Sequence, residues 1–172
     1  MKKALIITGP GFDDTEGIYS YHRLTEEGFE VEVATSNDQD AVSKNGGNIL
    51  KITIKASDIQ VDQYDMIILP GGREAPERVR QNPILVEVVK KAGDLGKIIG
   101  AICHGPWVLI SAGIMKDKKA TCYVGMKDDL INAGAHYTGT DVEIDGKIIT
   151  ATNPQAVGPW MKKIIELWKQ EL

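Results

Sequence analysis

The sequence predicts an α/β fold with a mostly parallel sheet covered by helices on both faces. Three observations carry this. The runs Ala4 to Thr8, Met66 to Leu69 and Lys97 to Ile102 have the length and apolar density of buried central strands. Each is followed by a turn and then by helical spacing, and the order strand, loop, helix repeats along the sequence. Ligands in such folds sit beyond the carboxyl ends of the strands, which singles out the loops Gly9 to Glu16, Pro70 to Glu77 and Cys103 to Pro106.

Ala4 to Thr8 ends in Gly9-Pro10-Gly11, after which Ile18, Tyr21, His22 and Leu24 mark a helix over Gly17 to Glu27. Gly28 stops it, and Phe29 to Ala34 alternates as the next strand. Residues 37 to 60 are polar and irregular, with Gly46-Gly47 predicting a small hairpin whose second arm runs from Ile49 to Ile54. The strand at Met66 to Leu69 opens into Pro70-Gly71-Gly72, a ligand-facing loop. Val79, Leu85, Val86 and Val89 place one helical face over Pro76 to Ala92, broken at Pro83. Gly93 and Gly96 turn the backbone into Lys97 to Ile102, and Cys103 leads directly into a short apolar helix ending at Ala112. Short strands are expected at Ala120 to Tyr123 and Ile148 to Thr150, and a closing amphipathic helix at Trp160 to Leu172.

With 172 residues, no linker and no internal repeat, residues 1–172 are expected to form a single domain. The net charge of −4 excludes the excess of Lys and Arg that binding polyanions demands, so nucleic acid is not an expected partner. Lys116, Lys118 and Lys119 read as a solvated turn. The apolar run at the N-terminus is too short for a signal peptide or a membrane span, which points to the cytoplasm and to no membrane partner. Cys103 and Cys122 are then expected to be free thiols. His22 and His136 lack metal-ligand spacing, and no metal or cofactor is expected.

The first loop begins like a dinucleotide fingerprint, but Asp14 occupies the third glycine position, and Asp13, Asp14 and Glu16 would repel a pyrophosphate. Carboxylates in a first helical turn also arise simply as caps, a reading that stays open for Asp13 and Asp14. Glu16 lies further along the turn, where its side chain projects inward over the strand ends.

Cys103 sits where a buried strand meets a helix, the layout of a nucleophile elbow, with Gly105 permitting close packing. A helix N-terminus favours thiolate and lowers a cysteine pKa from ~8.5 into the range ~3.5 to 7.5. The alternative is an inert buried cysteine at a strand end. His104 adjoins Cys103 in sequence, so its ring is not expected to face the sulfur; relaying protons with a carboxylate from elsewhere is the expected role. The backbone N–H groups of Gly72 and His104 are candidates for holding a developing oxyanion. Cys122 reads as core packing.

These loops together resemble the ThiJ/PfpI superfamily, in particular its PfpI-like branch of intracellular protease and deglycase-type proteins. The resemblance rests on Gly11 to Glu16, Leu69 to Arg73 with Pro76 to Arg80, Ala101 to Pro106, and Lys127 to Gly134. It implies a flavodoxin-like three-layer sandwich of the class I glutamine amidotransferase-like kind. It implies that Cys103 is a nucleophile hydrogen-bonded by a protonated Glu16. His104 would pair with Glu77 donated by an adjacent subunit, in a homo-oligomer, dimer or hexamer. Tyr123 would line the pocket, and Gly72 and His104 would supply oxyanion amides. Two departures stand out: Asp13 replaces a glutamate, giving a pocket carboxylate one methylene shorter, and Thr152 replaces an arginine.

The function expected is cysteine-dependent chemistry on reactive carbonyls, of the glyoxalase or protein deglycase type, with a small carbonyl or a peptide or protein adduct as substrate. A PfpI-type cysteine peptidase is the alternative within the enzyme class. A redox sensor or stress-protective chaperone, in which Cys103 is oxidised and Glu16 stabilises the product, is the alternative outside it.

Overall fold

The computed structural model describes residues 2–172. Among them, ten strands and six helices follow one another as β1 (Lys3–Thr8), α1 (Asp14–Glu26), β2 (Glu30–Thr35), β3 (Ala41–Val42), β4 (Ile49–Leu50), β5 (Met66–Leu69), α2 (Glu74–Arg80), α3 (Pro83–Asp94), β6 (Ile98–Ile102), α4 (Pro106–Ser111), β7 (Lys119–Ala120), α5 (Lys127–Asn132), β8 (His136–Tyr137), β9 (Val142–Asp145), β10 (Ile148–Ala151) and α6 (Val157–Gln170). The main sheet has the order β2-β1-β5-β6-β10-β9 and is parallel except for the β9 edge.

Side chains alternate across that sheet as the strand period demands. Leu5, Ile7, Ile67, Leu69, Ile99 and Ala101 face a layer built by α3 and α4. Ala4, Ile6, Met66, Ile68, Ile98 and Ile102 face α1 and α6. Both faces of the central strands are therefore apolar, which is why they read as continuous hydrophobic runs. The flavodoxin-like sandwich expected from the sequence is the observed architecture.

One expected break is observed, and three elements differ from expectation. The break expected at Pro83 separates α2 from α3, because Asn82 caps a new N-terminus through Ile84 and Leu85 N–H and Pro83 occupies the first turn. The strand expected at Ala120 to Tyr123 is only Lys119–Ala120, paired with β8 outside the main sheet. Strand β9 was not expected, since its side chains are half-buried or exposed and leave no apolar run. The hairpin at Gly46-Gly47 forms, though its second arm is only Ile49–Leu50.

The sheet order places β1 beside both β2 and β5, so the winding reverses between β1 and β5. The loops after β1 and β5 meet beside that point and line a cleft at the carboxyl ends. No helix among the described residues is long and apolar enough to cross a membrane.

Packing of the α6 face is tight at Gly100, where an added Cβ would lie 2.5 Å from Ile164 Cδ1 and 2.9 Å from Trp160 Cζ2. Trp160 is itself fixed by donating its indole N–H to the Ile149 carbonyl at 3.0 Å. Gly100→Ala is expected to destabilise the fold by about 1–3 kcal/mol through overpacking, read as a lowered urea midpoint with unchanged slope.

Candidate active site

The site is assembled by three turns that touch through glycines. Asp13 caps α1, its Oδ1 accepting from Glu16 N–H at 3.1 Å, which fixes the turn that aims Glu16 inward. Gly71 N–H donates to Glu16 Oε2 at 2.6 Å, and Asp13 N–H donates to the Gly71 carbonyl at 3.1 Å. A Cβ on Gly71 would stand 2.5 Å from Glu16 Oε2 and 2.6 Å from Cys103 Cβ. Gly72 has a φ of +83°, and a Cβ there would fall 2.6 Å from Asp13 N. Two consecutive residues without side chains are thus what lets the first loop, the second loop and the cysteine turn meet.

Cys103 adopts a φ of 61°, the strained elbow expected from its place between β6 and α4. Its own backbone is held by donating to the Ala151 carbonyl at 2.9 Å and accepting from Tyr123 N–H at 3.0 Å. Gly105 is equally constrained, with a Cβ 2.5 Å from the Leu69 carbonyl oxygen. The cysteine is 7% exposed, at the floor of a cleft of about 540 Å³ whose walls include Lys44, Arg73, Trp107 and Tyr123.

Glu16 is fully buried, and burial followed by the neighbouring Asp13 charge pushes its pKa up to about 8. The carboxyl is accordingly mostly protonated at neutral pH. Its Oε1 has no hydrogen-bond partner among the described residues, which leaves a buried acid O–H beside the cysteine. The same environment overturns the expectation of a resting thiolate at Cys103. Burial, then the Glu16 carboxyl, pushes the thiol up to about 12, outweighing the Gly72 and His104 backbone N–H groups that favour the anion. The helix after Cys103 spans only six residues and does not reverse this.

His104 supplies a second correction. Its ring does face the sulfur, with Nδ1 3.3 Å from Cys103 Sγ. Burial and the charges of Arg73 and Lys44 lower the His104 pKa, so the imidazole is neutral at neutral pH. With the proton on Nε2, Nδ1 is free to accept the thiol proton. The ring is packed between Trp107 at 4.9 Å and Tyr123 at 4.7 Å, centroid to centroid.

The other expected residues fall as follows. Tyr123 lines the cleft and is half-exposed. Asp13 lines it too, but its Oδ2 is engaged by Lys44 Nζ at 2.6 Å. Glu77 is exposed on α2 and does not line the cleft. Cys122 is completely buried in the core. Lys44, Arg73 and Trp107 were not recognised from sequence. Lys44 lay in a stretch read as a polar excursion, although a cation at a hairpin turn beside an acidic loop was a usable signal.

A strained cysteine above a parallel sheet, flanked by a neutral imidazole and a buried acid, defines a class of cysteine-centred α/β site. Residues 2–167 match the DJ-1/PfpI family, and the chain belongs to it. It is 41% identical over 167 residues to a Pyrococcus furiosus protein named Deglycase PfpI, an alignment that takes in 97% of this protein and 99% of that one. Drosophila melanogaster DJ-1beta superposes with a TM-score of 0.89 at 27% identity, over 97% of this protein and 90% of that one. An Anabaena variabilis protein with dj-1/thij/pfpi-like and ferritin-like domains superposes at a TM-score of 0.93 and 32% identity, over 96% of this protein and 48% of that one.

The raised pKa of Glu16 has a thermodynamic consequence. Between its ordinary value of 4.5 and about 8 the folded state binds a proton that the unfolded state has released, so stability falls as pH rises through that window. Glu16→Gln removes the titration. Between about pH 5 and 8 the wild type is expected to lose on the order of 1–5 kcal/mol relative to the variant, measured by thermal denaturation of both proteins across pH. Parallel profiles for the two proteins would contradict a buried neutral carboxyl.

Proposed function

We propose that this protein is a cysteine-dependent enzyme acting on reactive carbonyls, of the deglycase and glyoxalase type. The observation that carries this reading is the Cys103 sulfur 3.3 Å from a neutral His104 imidazole at the floor of an open cleft, beside the buried acid of Glu16. The P. furiosus relative's name, Deglycase PfpI, supports the same chemistry.

In the proposed reaction Nδ1 of His104 takes the Cys103 thiol proton as the sulfur attacks an aldehyde carbon. The carbonyl π-bond electrons move to oxygen, and a C–S bond forms. The backbone N–H groups of Gly72 and His104, which already bear on the sulfur, hold that oxygen, and a proton from Glu16 or from the imidazolium completes a hemithioacetal. Transfer of the proton on the hemithioacetal carbon to the adjacent carbonyl carbon of an α-oxoaldehyde, with the hemithioacetal O–H proton passing to that carbonyl's oxygen, then yields a 2-hydroxy thioester. Water cleaves it to a 2-hydroxy acid and returns the thiol. A high resting thiol pKa suits this order, because charge develops only when substrate fills the cleft and the proton has an adjacent acceptor.

Tyr123 and Asp13 serve as cleft walls in this reading. A homo-oligomer completes the site: Glu77, exposed on α2, reaches the His104 of a neighbouring subunit and orients its ring. Residues 1–172 act as one domain.

The test is turnover of methylglyoxal and of casein by wild type and Cys103→Ala. Loss of methylglyoxal to lactate is expected in the wild type and is expected to drop at least roughly a hundredfold in the variant. Equal behaviour of the two proteins on both substrates would remove the enzyme reading. Casein cleavage lost in the variant would instead favour a peptidase, and peroxide-dependent mass gain at Cys103 without turnover a sensor.

A further inference from the structure

The charged groups around the cleft nearly cancel, and the remainder is informative. Lys44 is neutralised by Asp13 at 2.6 Å. Glu74 is turned toward Arg78, its Oε2 3.3 Å from the guanidinium, with its side chain folded over Gly11. Glu16 is mostly uncharged at neutral pH. Arg73 alone among the cleft-lining ions has no carboxylate within 4 Å and donates no side-chain hydrogen bond among the described residues, although it is exposed at the cleft wall. Its charge is nevertheless felt inside, since it is one of the influences holding His104 neutral.

An unpaired guanidinium beside a nucleophile is a binding element waiting for an anion, and its planar fork suits a carboxylate. The same cleft offers the aromatic walls of Trp107 and Tyr123, which suit the apolar part of a small adduct. We propose that Arg73 is a specificity-determining residue that recognises a free carboxylate on the substrate. The favoured substrates are then carbonyl adducts of free amino acids or of peptide carboxyl termini, rather than adducts within a polypeptide, where the α-carboxyl of the modified residue is tied up in a peptide bond. This inference rests on the proposed carbonyl chemistry and deepens it.

The experiment compares two hemithioacetals of methylglyoxal, formed with N-acetylcysteine and with its amide, which differ by one carboxylate charge. Free methylglyoxal serves as the common control. For the wild type, kcat/KM is expected to favour the carboxylate adduct by at least roughly tenfold. Arg73→Ala is expected to abolish that preference, and Arg73→Lys to retain part of it. The preference should also shrink as salt is raised.

Equal kcat/KM for the two adducts in the wild type, with both processed, overturns the inference and leaves the carbonyl chemistry standing. Absence of turnover on both adducts and on free methylglyoxal overturns the chemistry itself, and the inference with it. A preference that persists in Arg73→Ala overturns the role of Arg73. So does a change in subunit number for Arg73→Ala, measured by light scattering, because it would mean that the guanidinium is committed to an interface.

Discussion

The contact on which the site depends is the passage of Gly71 and Gly72 between the first loop and the cysteine turn. At Gly71 the space a methyl group would need is already occupied by a carboxyl oxygen on one side and by Cys103 Cβ on the other. At Gly72 the backbone runs at positive φ against Asp13 N–H. This close approach allows one peptide N–H to reach Glu16 and the next to bear on the cysteine sulfur. The strain at Cys103, of the order of 1–3 kcal/mol for a non-glycine residue at positive φ, is sustained because both of its backbone polar groups are bonded to neighbouring segments.

Electrostatic consequences follow from the same crowding. Removing water from Glu16 and Cys103 disfavours both anions, and their proximity prevents them from ionising together. The acid therefore keeps its proton at neutral pH, the thiol keeps its own, and the imidazole stays neutral between cations. A site composed of three neutral groups stores its reactivity in geometry rather than in a standing charge. Its amides and its proton acceptor are already placed where charge will appear, which is how a preorganised site lowers a barrier without reorganising.

Much of this was legible in the sequence. The buried strands were recognisable because both of their faces are apolar, and the glycine and proline clusters at their carboxyl ends marked the loops that converge. Glu16, Gly72, Cys103 and His104 could be named because local signals place them on those loops. What could not be read depends on contacts between distant segments. The direction of the His104 ring goes with its packing against Trp107 and Tyr123, and the thiol's pKa follows from how deeply three loops interlock. Strand β9 carries no apolar pattern, since it only covers an edge. Lys44 and Arg73 are surface cations in sequence and become cleft walls only when the hairpin and α2 are docked.

The hairpin also accounts for the aspartate that stands where a glutamate was anticipated. Asp14 accepts from the side-chain amides of Asn45 and Asn48, each at 2.9 Å, while Gly11 N–H donates to the Val42 carbonyl and Lys44 N–H to the Phe12 carbonyl. The hairpin is thereby drawn onto the first loop, bringing the Lys44 ammonium to the shorter side chain. Asp13 can then cap α1 with one oxygen and bind Lys44 with the other. Aspartate is among the preferred residues for that cap. A missing methylene is thus accommodated by the docking of β3 and β4, and Asp13, a residue of the cleft wall, also fixes the turn from which Glu16 reaches the cysteine.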